Sequence, residues 1–393
     1  MKRLKEALMA KKGFYLFVAA LLGLLLSACS TASETDTTKE TQQSSTASTA
    51  EAPKAPKADE KGQVKDILDQ MTIEEKVGQL FLVRVPMENQ LEDIQTYHLG
   101  GYLLFDRDME GESADSLKQK IVRYQAASKY PMLIGSDEEG GVVSRLSRNQ
   151  LVDPPFPSPQ ELYQSNGWQA ITEDIARKGT IFHELGIHLG MAPDADVSTD
   201  PESFIYNRTI GMDAAGTSEY VTRSVDALKQ ANIGSTLKHF PGYGNNRDSH
   251  VEIVTDDRSI EELRSNDFLP FQAGIQAGAD SLMVSHNIIT AIDPDRPASI
   301  SPKVHEVIRQ ELGFDGVVMT DDMDMAGLAA FTSQEEAGLQ ALQAGNDLIL
   351  SSSYSSQIPY ILQAIQEGKY TEDQLNQSVE RVLNWKAELG LLN

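Results

Sequence analysis

The 393-residue sequence is almost free of cysteine: it has one, Cys29. No disulfide can close within the chain, and the paired-cysteine spacings of structural zinc sites are missing. Positive charge is scarce too. Lys and Arg number 34 against 58 Asp and Glu, so the formal net charge is −24. So acidic a chain is poorly suited to displacing the counterions of a phosphate backbone, and nucleic acid is not expected as a partner. There is no G-x-x-x-x-G-K-[ST] phosphate loop, no H-E-x-x-H zinc motif, and no G-x-G-x-x-G after the first strand-like run. Long apolar runs are also lacking. The longest, Phe14 to Leu26, is short for a membrane-spanning helix.

That run nevertheless has a context. Lys2, Arg3, Lys5, Lys11 and Lys12 precede it, and Leu26-Ser27-Ala28-Cys29 closes it. A basic start, an apolar stretch and small residues before a cysteine resemble the bacterial lipobox, in which the cysteine is lipidated and becomes the mature N-terminus. The expectation is a signal peptide over 1–28, a lipid on Cys29, and attachment to the extracytoplasmic face of the cell membrane. An uncleaved anchor or an ordinary secretory signal would share the first two features. Residues 29–62 hold the Cys and a Ser, Thr, Ala, Glu, Lys and Pro tract that cannot bury enough surface to offset its ordering entropy. They read as a flexible tether.

From residue 63 onward the pattern is globular, and 40% of the whole sequence is apolar, ample for a core. Thr72-Ile73-Glu74-Glu75 and Thr371-Glu372-Asp373-Gln374 are capping boxes that predict helix starts. Short apolar runs recur at 77–85, 100–105, 131–134, 188–192, 235–237, 280–284, 316–319 and 347–350, most separated by helical patterns. Buried strands alternating with helices argue for a parallel α/β fold. Eight such strands suit a single (β/α)8 barrel over 63–393, with a doubly wound open sheet as the alternative.

In a barrel, chemistry gathers at the C-terminal strand ends. Asp137 to Gly141 with Arg145 follow the third run. Asp194, Asp196 and then Arg208 follow the fourth. Lys238, His239, Asp248 and His250 follow the fifth, in a loop punctuated by Gly242 and Gly244. His286 and Asn287 follow the sixth, and Asp321, Asp322 and Asp324 the seventh. Asp321 could cap the next helix, or point inward as a nucleophile if Asp322 or Asp324 takes the capping role. Asp248 and His250, two apart in an extended loop, could form an acid/base pair or a loop-stabilising hydrogen bond. A zinc site on His239, Asp248 and His250 lacks a supporting motif, so neither metal nor cofactor is expected.

Lys238-His239-Phe240-Pro241-Gly242 with Asp248-Ser249-His250 resembles the signature of glycoside hydrolase family 3, in its β-N-acetylglucosaminidase branch. Asp137-Glu138-Glu139-Gly140-Gly141 with Arg145, and Thr320-Asp321-Asp322-Met323 with Met325, resemble two further elements of that branch, in the same order. The resemblance spans about 64–393. It implies a retaining hydrolase in which Asp321 is the nucleophile and His250, paired with Asp248, the acid/base. It also implies that Asp137, Arg145, Arg208, Lys238 and His239 hold a terminal N-acetylglucosamine, and that the substrate is a β-GlcNAc-ended peptidoglycan fragment in cell-wall turnover. Two positions depart from the family pattern: Tyr243 replaces a His, and Val142 stands where Arg is common. A β-glucosidase-like specificity, or a non-catalytic sugar-binding lipoprotein, remain alternatives. The expected assembly is a monomer.

Overall fold

The computed structural model describes residues 58–244, 246–247, 254–329 and 331–392. The predicted signal peptide, Cys29 and nearly all of the tether, and the Asp248–His250 pair, lie outside the described residues. Seven short strands carry the core: β1 Phe81–Arg84, β2 Gly101–Leu104, β3 Leu133–Ser136, β4 Thr236–Phe240, β5 Ser281–Val284, β6 Val317–Thr320 and β7 Ile349–Ser351. All their pairings are parallel. One sheet runs β7-β1-β2-β3 and a second β6-β5-β4. Single parallel bridges join them, Gly135 to Leu189, Leu189 to Gly234, and Met319 to Leu348. Parallel strands need crossover connections, and helices supply them. They include α1 Ala114–Ala127, α2 Pro159–Leu185, α3 Ala214–Gln230, α4 Phe268–Gln276, α5 Gln334–Ala344, α6 Tyr354–Gln366 and α7 Glu372–Glu388.

The strands are buried on both faces. β2, β3, β5 and β6 are buried throughout, which suits their runs of Leu, Ile, Val and Met. Gly101 allows the close approach of β3, since a Cβ there would meet the Leu133 carbonyl oxygen at 2.4 Å. α7 turns Leu375, Val379, Val382, Leu383 and Trp385 onto the core, the apolar face that its spacing predicts. Both capping boxes form: Thr72 accepts from the Glu75 N–H at 3.3 Å and Glu75 accepts from the Thr72 N–H at 3.1 Å, while Thr371 and Gln374 do the same.

Two expectations change. The fourth run, 188–192, makes isolated bridges at Leu189 instead of a regular strand. Met191 has φ 47°, outside the β region, and Pro193 follows. The fifth strand runs on to Phe240, so Lys238 and His239 are strand residues and not part of the following loop. Pairing with β5 at Val284 and bridging from Asp194 to Lys238 extend it. α2 kinks near its start, at Asn166 and Gly167.

Candidate active site

Because the strands are parallel, their C-terminal ends open on one side, and the polar residues collect there. A cavity of about 260 Å³ is lined by Asp137, Arg145, Arg208, Lys238, His239 and Asp321, with Arg84 and Asp322 beside them and Leu103, Phe105, Met191, Met283 and Leu350 as apolar surface. A larger cavity of about 580 Å³ lies at the other ends of the strands, against α7 and Asp280, Gly316 and Val317. It holds none of the convergent groups, so the chemistry belongs to the smaller one.

The polar wall is a chain of alternating charge. Lys238 is buried and reaches Asp137 Oδ1 at 3.1 Å and Glu139 Oε1 at 2.6 Å. Arg208 grips Glu139 with two donors, Nε to Oε2 at 3.0 Å and Nη2 to Oε1 at 2.8 Å. Arg145 donates to Asp137 at 3.1 Å and to Asp106 at 3.1 Å. Such pairing offsets desolvation. Burial pushes the Asp137 and Glu139 carboxyls up, but Lys238 with Arg145, and Arg208 with Lys238, pull them below the usual carboxylate range. Burial likewise opposes the charge of Lys238, and Glu139 and Asp137 more than restore it. The side chains are therefore held charged and fixed.

Glu139 comes from a two-stranded hairpin, Glu138–Gly140 with Val143–Ser144. Gly140 has φ 103°, and a Cβ there would meet the Pro157 carbonyl oxygen at 2.1 Å. Glu138 points the other way. It accepts from Ser136, Ser144 and the Leu146 N–H, which fixes the start of the segment carrying Arg145. Val142 is exposed at the hairpin tip.

His239 is committed on both ring nitrogens. Nδ1 donates to Asp196 Oδ2 at 2.8 Å, which leaves Nε2 to accept from Arg208 Nη2 at 3.0 Å. Burial, and then Arg208, lower its pKa to about 4, so the ring is neutral. Tyr243 is buried, donates its N–H to Asp196 Oδ1 at 2.6 Å, and packs edge-on to His239 at 5.1 Å. The departure from the family's His thus braces the ring from behind. Asp194, Asp196 and His239 bring ligand atoms within 4.8 Å of one another, a spacing that a cation can exploit. Here His239 occupies Asp196, the Asp196 N–H occupies Asp194 Oδ1 at 2.9 Å, and Arg208 stands 3.8 Å from Asp194 Oδ2. Protein donors thus occupy Asp196 and Asp194 Oδ1, while Asp194 Oδ2 has no hydrogen-bond donor among the described residues and only the Arg208 charge nearby.

Asp321 leaves β6 and faces the cavity. Its Oδ1 accepts from the Asp322 N–H at 2.8 Å. Asp322 accepts the Asp324 N–H at 3.0 Å and Asp324 accepts from Ser352 and Ser353. The turn-capping work thus falls to Asp322 and Asp324. A carboxylate in this place, opposite a fixed polar wall, can attack an electrophilic carbon.

All six expected pocket residues within the described region come together. Sequence reasoning passed over Arg84, gave no role to Glu139 or Asp196, and offered Asp322 only as a cap for the next helix. Glu139 sits inside the D-x-E-G-G element, so a signal was present. Arg84 is a lone charge in the apolar run Phe81-Leu82-Val83-Arg84-Val85, an interruption that a strand end at a pocket explains.

A parallel α/β frame with acids and bases converging at the C-terminal strand ends is the architecture of an enzyme acting on a polar substrate. The sequence model of the glycosyl hydrolase family 3 N terminal domain matches residues 72–385. The chain belongs to that family and is a glycoside hydrolase. It is 34% identical over 262 residues to a beta-hexosaminidase of Stenotrophomonas maltophilia strain K279a, covering 64% of this chain and 76% of that one. It is 31% identical over 288 residues to a beta-hexosaminidase of Idiomarina loihiensis, covering 72% and 85%. A family 3 beta-N-acetylglucosaminidase from Paenibacillus sp. superposes with TM-score 0.76 at 28% identity, over 82% of this chain and 63% of that one. LpqI of M tuberculosis gives 0.74 at 28%, over 81% and 95%.

Proposed function

We propose that this chain is a retaining exo-β-N-acetylglucosaminidase whose folded part, 63–393, is a single (β/α)8 barrel. The carrying observation is Asp321 at a strand end, facing a polar wall of Asp137, Arg145, Lys238 and Glu139 in a cavity of about 260 Å³. A small pocket lined so favours one terminal sugar over a long chain threading through. Fixed charged donors and acceptors suit sugar hydroxyls. The parallel bridges on either side of the two sheets support the barrel reading.

In this reading the Asp321 carboxylate attacks C1 of the terminal GlcNAc while His250, paired with Asp248, gives its proton to the departing oxygen. A covalent glycosyl ester on Asp321 results. His250 then takes a proton from water, whose oxygen bonds to C1 as the ester bond breaks and Asp321 leaves as a carboxylate. Asp137, Arg145 and Lys238 hold the sugar directly. Arg208 and His239, whose donors and acceptors are largely committed within the protein, hold the wall. The names of the relatives and of the superposing structures favour an N-acetylhexosamine. In the same reading residues 1–28 are a signal peptide, Cys29 carries the lipid, 29–62 are the tether, and the protein sits on the extracytoplasmic face of the membrane as a monomer; that placement favours a peptidoglycan fragment as substrate.

The test uses the full chain in detergent with a chromogenic β-GlcNAc and the matching β-glucoside. GlcNAc release by the wild type, abolished in Asp321→Ala, is the expected result. Loss in His250→Ala that is smaller for an activated leaving group identifies the acid. Preference for the glucoside overturns the sugar assignment. Release of neither sugar, with binding retained, favours a binding lipoprotein.

A further inference from the structure

Arg84 ends a strand whose other side chains, Phe81, Leu82 and Val83, are fully buried. Its guanidinium lies over the Phe105 ring, 4.6 Å from the centroid, and Arg145 lies over the same ring at 5.2 Å. Its Nε donates to Asp322 Oδ2. Asp322 is the neighbour of Asp321, and its own N–H holds Asp321 Oδ1. Asp322 is also fixed through its carbonyl, which accepts from His286 Nε2 at 2.9 Å. Arg84 is thus the far end of a short path: a cation clamped on an aromatic ring, an anion beside it, and an amide that aims the acid facing the cavity.

We propose that Arg84 is a positioning residue for the reaction, holding Asp322 as an ion pair so that the Asp322 N–H keeps Asp321 aimed into the pocket. This rests on the reading of Asp321 as the nucleophile. The physical need is clear. Two consecutive carboxylates are 6% and 4% exposed, and like charges so close and so dry resist ionising together. Burial raises the Asp322 carboxyl to about 6 even with Arg84 pulling it down. Among the described residues, the other charges nearby do not replace Arg84. Asp324, on the same turn, adds repulsion to Asp322. Lys238 is shared between Asp137 and Glu139, Arg208 is spent on Glu139, Arg145 on Asp137 and Asp106, and His239 is neutral. Without Arg84, Asp322 takes up a proton at higher pH and loses its anchor. The turn is then free to shift, and the amide no longer aims Asp321.

The experiment measures kcat and kcat/KM on an aryl β-GlcNAc for the full-length wild type, Arg84→Met, Arg84→Lys, Asp322→Asn and the double variant Arg84→Met/Asp322→Asn. Asp321→Ala runs alongside. Arg84→Met is expected to lose on the order of 10- to 100-fold near neutrality, mainly in kcat. Arg84→Lys keeps the charge and recovers most of that loss. Asp322→Asn, which breaks the same pair, loses by a similar factor, and the double variant is no worse than either single one. A loss confined to KM, no recovery in Arg84→Lys, or losses that multiply in the double variant overturns the proposal. Should Arg84→Met not fold, Asp322→Asn decides, since an unchanged kcat there leaves the pair without a role. Turnover surviving in Asp321→Ala sinks the nucleophile reading itself. A dead Asp321→Ala with wild-type kcat in Arg84→Met sinks only the role of Arg84.

Discussion

Among the described residues, Lys238 and Lys386 are the lysines most fully enclosed by protein, and they are opposites. Lys238 closes the polar wall of the pocket between Asp137 and Glu139. Lys386 lies on the core face of α7, at the other end of the strands, with Gln79 Oε1 at 2.6 Å as its acceptor. The same ammonium meets two carboxylates in one place and a neutral amide in the other. Lys238 is pushed above its ordinary pKa, whereas burial lowers Lys386 to about 7. Burial alone therefore does not set the charge of a buried lysine; the charge of its partners does. The pocket end keeps charges ready for a ligand. The other end tolerates a group that sheds its charge.

The largest effect should come from dismantling the paired side. Lys238→Met is expected to lower kcat/KM on the order of 10²-fold or more, because it removes a fixed donor and leaves two carboxylates facing the cavity; steady-state kinetics on the chromogenic GlcNAc measures this. Glu139→Gln should cost roughly 3–5 kcal/mol of stability, as breaking a buried network does when it strands the partners Lys238 and Arg208. Denaturant unfolding reads it, and a cost below 1 kcal/mol would mean that the wall is not electrostatically coupled.

The unpaired side sharpens the comparison through pH. The folded-state pKa of Lys386, about 7, lies below that of a free lysine, so between about pH 7 and 10 the unfolded chain binds more protons than the folded one. Stability contributed at this position therefore rises with pH through that window, and the penalty is fully present below it. Relative to Lys386→Met, the wild type should gain roughly 3–5 kcal/mol between pH 7 and pH 10. Urea unfolding of both proteins at the two pH values tests the sign as well as the size. The smallest effect is expected from Gln79→Leu. It removes the acceptor of Lys386, and also the donor to the His98 carbonyl at 2.8 Å, and should cost about 1–3 kcal/mol. A neutral outcome would show that the amide does not hold the lysine.

How far the sequence could be read follows the same division. The strands were legible because parallel strands covered on both faces are written as short, nearly unbroken apolar runs, as in Val317-Val318-Met319. The helix starts at Thr72 and Thr371 were legible because a capping box is local. Asp137, Lys238, His239 and Asp321 were legible as polar residues where such runs stop. Long-range partnership was not. Nothing near Glu139 in the chain announces Arg208, 69 residues away, and nothing near Asp322 announces Arg84. Lys386 lies on the apolar face of α7, yet a lysine at a helix C-terminus reads as a solvated charge favourable to the helix dipole. Only the packing of α7 under the strands reveals that it is enclosed. Met191 similarly hid the irregular fourth strand, because a positive φ at a non-glycine residue has no dependable sequence mark.

The pair Arg84–Asp322 joins positions 238 residues apart. No continuous fragment short of that length carries both ends of the contact, and the last strand, β7, lies beyond it in the chain. Closing so large a loop is entropically slow relative to forming local helices. A nascent chain can thus complete most of its helices before the pocket exists. Catalytic competence becomes a late milestone of folding, and turnover during refolding should lag the recovery of helical signal.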